Sequence, residues 1–225
     1  MQLTVTEENY LKALVHQSFL AAQPVGVGTN ELADILGVKP ATVTDMARRL
    51  SEKQLVLYQR YSKIQLTDVG REVAMKVVRK HRLWETFLHQ HLGFEWHQVH
   101  AIAEQLEHVQ SDELIDRLDA FLGFPTTDPH GDAIPLANGA IEPMVTHNLA
   151  TEKEQHTVKV IGVSTDETSF LEYIQQMDIQ LGAEITVQHR NNFDKLVSIQ
   201  VNGREQVLSE HLATKILVKC SACGH

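Results

Sequence analysis

Three observations predict an α+β chain built in three parts. Residues 6–53 place apolar side chains at helical spacing in three short segments, and an alternating pair of segments with a basic tip follows at 55–67. That is the pattern of a winged helix-turn-helix. Residues 67–122 keep a helical period and gather Glu and His on their polar faces, which predicts an all-α domain carrying metal-type ligands. From Glu152 onward period-two alternation takes over and predicts a small SH3-like β-barrel. The boundaries expected from these changes are 1–70, 71–145 and 146–225, and 225 residues suffice for them.

The elements follow in order. Thr6 caps a first helix through about Leu20, and Gln23 to Gly28 is a loop. Thr29 to Leu36 is a short helix closed by Gly37. Pro40 opens the next helix, to about Lys53, with Val43, Ala47 and Leu50 inward. Small polar residues near the start of that helix are the type that reaches base edges. The candidate DNA-contacting residues are therefore Thr29, Lys39, Pro40, Ala41, Thr42, Thr44, Asp45 and Arg48, with Arg49 further along. In the wing, Arg60 and Lys63 are suited to phosphate, which adds affinity without sequence information. Thr67 caps a long helix to about Gln90, and further helices are expected at 96–107 and 112–122. Phe124 to Pro143 holds Pro125, Pro129, Pro135 and Pro143 and is an irregular loop. Strands are expected at 156–163, 184–188, 196–201 and 206–208, with only Ser169 to Met177 helical among them.

Composition is that of an ordinary globular chain, and no apolar run approaches a membrane span. No basic segment followed by an apolar core opens the chain, so a cytoplasmic location is expected. The net charge of −9 is unevenly spread: residues 1–82 carry 12 Lys+Arg against 8 Asp+Glu, and the remainder 8 against 21. A mildly basic head on an acidic body fits a DNA-binding module joined to a cation-binding one.

The chemistry concentrates in Glu104-Gln105-Leu106-Glu107-His108. On a helix, positions i, i+3 and i+4 share a face, so two carboxylates and an imidazole come side by side. Without a counter-charge they repel, and a divalent ion resolves the conflict. Oxygen and imidazole donors suit Mn²⁺, Fe²⁺ or Zn²⁺. His81 and Glu85 repeat the theme at i, i+4. Either set alone is also compatible with a solvated polar face; the DNA-type module upstream favours the metal. The tail, Cys220-Ser221-Ala222-Cys223-Gly224-His225, has ligand types for Zn²⁺ but no fourth ligand or scaffold, and is expected to be a disordered thiol tail. Trp84 and Trp96 are expected in the core or at an interface between subunits.

Taken in order, Glu8-Asn9-Tyr10-Leu11, Pro40-Ala41-Thr42-Val43-Thr44, Arg79-Lys80-His81-Arg82-Leu83-Trp84-Glu85, Val99-His100, Glu104 to His108 and Asp128-Pro129-His130-Gly131-Asp132-Ala133-Ile134-Pro135 resemble the DtxR/MntR family of metal-dependent transcriptional repressors over almost the whole chain. The resemblance implies a cytoplasmic homodimer on double-stranded palindromic operator DNA, with the helical domain forming the dimer. It implies Mn²⁺ or Fe²⁺ as corepressor at two sites per subunit, with Zn²⁺ or Co²⁺ able to bind in vitro. Carried over, Glu104, Glu107, His108 and His81 match a primary site completed by Asn9, where the family usually has Asp or Met. Lys12 falls where some manganese-type members have Glu. Glu85, Asp128 and His130 match an ancillary site, which Asp166 or Glu167 would close. His81 fits either site, and His100 matches a ligand of the iron-type members, with a surface histidine as the other reading. Two other readings stay open: a winged-helix regulator sensing redox state or a small molecule through its C-terminal domain, and a carboxylate–histidine metalloenzyme.

Overall fold

The structure is a computed structural model that describes residues 3–20, 26–141, 147–165, 167–191 and 193–220. It divides into two compact units. One comprises Met1–His81, Glu104–Ile115 and Pro135–Ile141; the other comprises Arg82–Ala103, Asp116–Ile134 and Glu142–His225.

The first unit begins with α1 (Val5–Leu20). Its cap is Thr4 rather than Thr6. The Glu7 amide donates to Thr4 Oγ1 (3.3 Å) and the Thr4 amide donates to the Glu7 carboxylate (2.9 Å), a reciprocal box that satisfies two end donors. α2 (Thr29–Leu36) ends at Gly37, whose φ of 63° lets the Gly37 and Val38 amides turn back onto the helix. α3 (Pro40–Glu52) starts on Pro40, where no amide donor is missed, and buries Val43, Ala47 and Leu50. These meet Tyr10, Leu11, Leu14 and Val15 of α1 and Leu32 and Ala33 of α2 in one core. β1 (Val56–Leu57) and β2 (Gln65–Leu66) pair antiparallel as the wing, and the loop before α2 joins them through a Val27–Ile64 bridge. α4 (Asp68–Leu92) is capped by Thr67 Oγ1, which accepts from the Gly70 amide at 2.9 Å.

α5 spans only Val99–Leu106 and α6 Asp112–Phe121. The expected helix at 96–107 is therefore shorter at both ends. Glu107 and His108 stand in the turn beyond α5, tightened by a Val109 amide bond to the Leu106 carbonyl (3.2 Å).

In the second unit the sheet has six strands in the order β3-β8-β4-β5-β6-β7. They are β3 (His147–Asn148), β4 (Thr157–Val163), β5 (Glu184–Asn191), β6 (Leu196–Val201), β7 (Arg204–Ser209) and β8 (Ile216–Cys220). All the pairings are antiparallel. Alternate residues such as Val158, Val160, Ile185, Val187, Val197 and Ile199 point inward against Phe170, Leu171 and Ile174 of α7 (Thr168–Gln176), and Trp96 joins that core.

The expectation of a closed barrel is corrected: β3 and β7 lie at opposite ends of the sheet with no pairing between them among the described residues. A second helix, α8 (Glu210–Thr214), and strand β8 were not expected. Ser209 caps α8 by accepting from the Leu212 amide. Cys220 lies in β8, its backbone paired with Val158, so the thiol tail cannot begin there; Cys223 and His225 lie outside the described residues.

Candidate metal centres and nucleic-acid interface

In the first unit four segments converge on one polar cluster. α1 contributes Glu8 and Lys12, one turn apart; α4 contributes Lys80 and His81; Glu104 closes α5, and Glu107 and His108 follow it. His108 Nδ1 lies 2.5 Å from Glu8 Oε2, and Gln110 Nε2 donates to Glu8 Oε1 at 2.9 Å. His81 Nδ1 lies 2.6 Å from Glu107 Oε2, and His108 Nε2 is 3.7 Å from the other Glu107 oxygen. Lys12 Nζ donates to Glu107 Oε2 at 2.6 Å and to Glu104 Oε1 at 3.3 Å. Glu107 is buried at 1% side-chain exposure whereas Glu104 is 55% exposed. That contrast is a consequence of the helix ending between them. Burial pushes the Glu107 carboxyl up, but the His81 hydrogen bond and the Lys12 and His81 charges outweigh it and hold it below the usual carboxylate range.

Asn9 lies on the exposed side of α1, and the acidic residue that α1 brings to His108 is Glu8. Helical phase explains the difference. Glu8 shares a stripe with Leu11, Lys12 and Val15, and Asn9 is turned about 100° away from Glu8.

The second unit holds a group of its own residues. Glu85 of α4, Asp128 and His130 offer ligand atoms lying within 4.8 Å of one another, and all three residues are buried. His100 Nδ1 is 3.2 Å and His130 Nδ1 3.6 Å from the Glu85 carboxylate. His130 Nε2 lies 3.2 Å from the Trp96 carbonyl, and the Trp96 ring stacks on the imidazole at 5.8 Å. Donation from Nε2 to that carbonyl leaves Nδ1 as the lone-pair nitrogen, the usual arrangement behind a metal-binding histidine.

Asp128 Oδ1 accepts from the amides of His130 (2.8 Å) and Asp132 (3.0 Å), which folds the loop around it. Arg82 lies 3.6 Å from Asp128 and 3.2 Å from Asp132 and donates to the Ala133 carbonyl. Burial, then the charges of Glu85 and Asp132, push the Asp128 carboxyl up to about 7 against the pull of Arg82 and His130. Burial disfavours the charged His130, yet its bond to Glu85 and the charges of Glu85 and Asp128 leave it raised. Two buried carboxylates in mutual conflict, with an imidazole beside them, are a donor set that fits a divalent cation.

The loop is held on β4 by backbone contact. Gly131 has φ +86°, and a Cβ there would meet the Ile161 carbonyl at 1.9 Å; a Cβ on Gly162 would meet the His130 carbonyl at 2.5 Å. The Val163 amide donates to that same carbonyl at 2.8 Å. Asp166 lies outside the described residues, and the exposed Glu167 is bonded to Ser169 and Lys215.

On the helix-turn-helix, Lys39 before α3 and Pro40, Ala41, Thr42, Asp45 and Arg48 within it are exposed, and Thr29 and Thr44 are half-buried. Arg48 pairs with Asp45 at 3.2 Å. At the wing tip a Gln59–Ser62 turn exposes Arg60 and Lys63. Tyr61, absent from the expected set, is 90% exposed, and the Arg60 guanidinium lies 4.9 Å from its ring centroid. The aromatic beside two basic residues was the available signal.

Comparison with known proteins bears on these features. Residues 2–64 match the model for the iron dependent repressor N-terminal DNA binding domain. Residues 67–136 match the iron dependent repressor metal binding and dimerisation domain, and residues 147–220 the FeoA domain. An uncharacterised HTH-type transcriptional regulator of Methanocaldococcus jannaschii is 36% identical over 115 residues, 51% of this chain and 90% of that protein. The diphtheria toxin repressor of Corynebacterium diphtheriae is 27% identical over 227 residues, 96% of this chain and 98% of that one. Among solved structures, a manganese-dependent transcriptional repressor in complex with manganese superposes with a TM-score of 0.81 at 35% identity, covering 95% of this chain and 99% of that one.

Proposed function

This chain belongs to the DtxR/MntR family of metal-dependent transcriptional repressors, and from that premise we propose how its own residues make DNA binding depend on a divalent cation. It is a DNA-binding, dimerising regulator of metal homeostasis, in a family of repressors rather than enzymes. No described helix is long and apolar enough to cross a membrane. The proposed location is the cytoplasm, and the proposed target is a palindromic operator in double-stranded DNA.

The observation that carries the mechanism is the cluster joining α1 to α4 and the turn after α5. We assign the primary site to Glu104, Glu107, His108 and His81, with Glu8 in the role expected of Asn9. Glu85, Asp128 and His130, with His100, form the second site. A divalent ion, when bound, supplies two positive charges and fixed oxygen–nitrogen coordination. Glu107, buried against His81, would then share that charge with Glu104 and Glu8, and Glu8 would hold α1 in place. Because Tyr10, Leu11 and Leu14 of α1 pack in the same core as Leu32 and Val43, the posture of α1 sets that of the recognition helix α3. Metal affinity that differs between two postures of α1 then shifts the population towards the one that binds operator.

The donors assigned to both sites are oxygen and imidazole nitrogen, with no sulfur. This supports Mn²⁺ as the sensed ion, as does the likeness to a manganese-named repressor over nearly the full chain. Fe²⁺ is the second reading, supported by the family models.

The test is operator binding followed by fluorescence anisotropy on chelator-treated protein, titrating Mn²⁺ and anaerobic Fe²⁺ separately at one salt concentration. Affinity should rise sharply with one ion and fail to rise in Glu107→Gln or His108→Ala. Operator binding that ignores both ions, or variants that respond like wild type, would overturn the mechanism.

A further inference from the structure

α1 carries a cation into the primary cluster. Lys12 Nζ lies 2.6 Å from Glu107 Oε2, 3.3 Å from Glu104 Oε1 and 3.2 Å from His81 Nδ1. An ammonium has three N–H donors, and here it faces two carboxylate oxygens and, beside them, the His81 ring nitrogen, all of groups assigned to the metal. Of the other lysines of this neighbourhood, Lys53 pairs with Glu7 at 2.6 Å, and Lys80 lies by Glu8 of the same cluster but at 3.8 Å, beyond hydrogen-bond reach. The Lys12 side chain is 19% exposed beside a Glu107 at 1%, so its head has a path to water that the carboxylate lacks. Its four-carbon stem is flexible enough to use that path.

We propose that the Lys12 ammonium is a tethered counter-ion that fills the cation position among Glu104, Glu107 and His81 in the metal-free protein, and that a divalent ion binds there only by displacing it. The proposal rests on the metal-site reading given above. Its consequence is a threshold. A ligand whose competent state is only a fraction of the population has its apparent Kd raised by the inverse of that fraction. Lys12 therefore sets the ion concentration at which the regulator responds. It also keeps the metal-free cluster folded, because Glu107 is never left buried without a positive partner. The switch is an exchange of a monovalent internal cation for a divalent external one.

The test uses the full chain, treated with chelator, in a Glu85→Gln background that silences the second set. Mn²⁺ alone is the probe, its binding read from loss of the free-ion electron paramagnetic resonance signal. Lys12→Met keeps the stem and removes the charge; Lys12→Gln serves the same purpose should Lys12→Met not fold. The expected result is Mn²⁺ binding tighter by about tenfold or more. A lower Tm without metal should accompany it, converging on the parent value when Mn²⁺ saturates. Unchanged or weaker Mn²⁺ binding in these variants, with Glu107→Gln abolishing it, would sink the role of Lys12 and leave the metal site standing. If Glu107→Gln binds Mn²⁺ as the parent does, the metal-site reading falls and the Lys12 proposal with it.

Discussion

Gly131 shows how much one residue does for the second site. Its φ of +86° is a region where an L side chain is strained, and the Ile161 carbonyl occupies the space a Cβ would need. Gly37 has a similar φ of +63° but open space around it. Gly37→Ala should therefore cost only the backbone term, about 1 kcal/mol. Gly131→Ala should cost clearly more, because the backbone of β4 must move as well. It should also weaken metal binding by Glu85, Asp128 and His130, since the loop between Asp128 and Gly131 hangs on that contact. Thermal denaturation and a metal titration of the two variants check this. Equal losses of stability, or an unperturbed second site in Gly131→Ala, would refute it. Much of this cluster was legible in the sequence, because the Asp128-Pro129-His130-Gly131 run places two candidate ligands side by side and the structure brings Glu85 to them. What was not legible was partnership. Arg82 beside Asp128, and the Trp96 carbonyl behind His130, are brought together across 46 and 34 positions of chain by packing that no local pattern records. Asn9 was chosen by motif position, whereas helical phase with Leu11 and Val15 is what carries Glu8 to His108.

At the scale of elements, ends marked by Gly or Pro were read closely, and ends without such a mark were not. α2 and α3 have Gly37 and Pro40 as punctuation, and their limits follow from them. α5 has no such stop, and its end at Leu106 depends on the turn that buries Glu107. β8 is a short apolar run that gains its identity only from pairing with β4 and β3. The wing was readable because strand alternation and a polar tip coincide. Its Arg60 and Lys63 are exposed on a turn held by Ser62, so each is placed to neutralise a phosphate without reading a base. Lys63→Ala should weaken binding to every DNA sequence alike and reduce the slope of log K against log salt by about 0.9. Thr42→Ala, on the outward start of α3, should leave the slope alone and change the ratio of affinities between operator and scrambled DNA. Titrations at several salt concentrations separate the two. A Lys63→Ala variant that alters sequence preference while keeping its slope would show that the wing reads bases.

For the whole molecule, charge and exposed apolar surface point to a partner of the same kind. The excess of Lys and Arg lies in residues 1–82 and the excess of Asp and Glu beyond, so the phosphate-binding surface belongs to the head of the chain. Within the second unit, Phe87, His91 and Phe121 form an aromatic group with ring centroids 4.8–6.1 Å apart. Phe121 in that group is 62% exposed, and Leu92 and Phe124 are 56% and 68% exposed. Exposed aromatics of this size are the kind that a subunit interface buries, and the family's dimerisation domain covers the same residues. A two-fold dimer presents two copies of α3, so its DNA should carry two half-sites separated by a whole number of helical turns, about 34 Å each. Phe121→Glu should place a charge in the interface and shift the protein to monomer in sedimentation. With Mn²⁺ present, that variant should lose most of the preference for a full palindrome over a single half-site, while wild type should also lose it when about five base pairs are inserted between the half-sites. The two perturbations act on opposite partners of the complex, one on the protein dimer and one on the DNA spacing. Agreement between them is what ties the aromatic patch to operator symmetry. A Phe121→Glu variant that stays dimeric, or a wild type indifferent to the insertion, would break that tie.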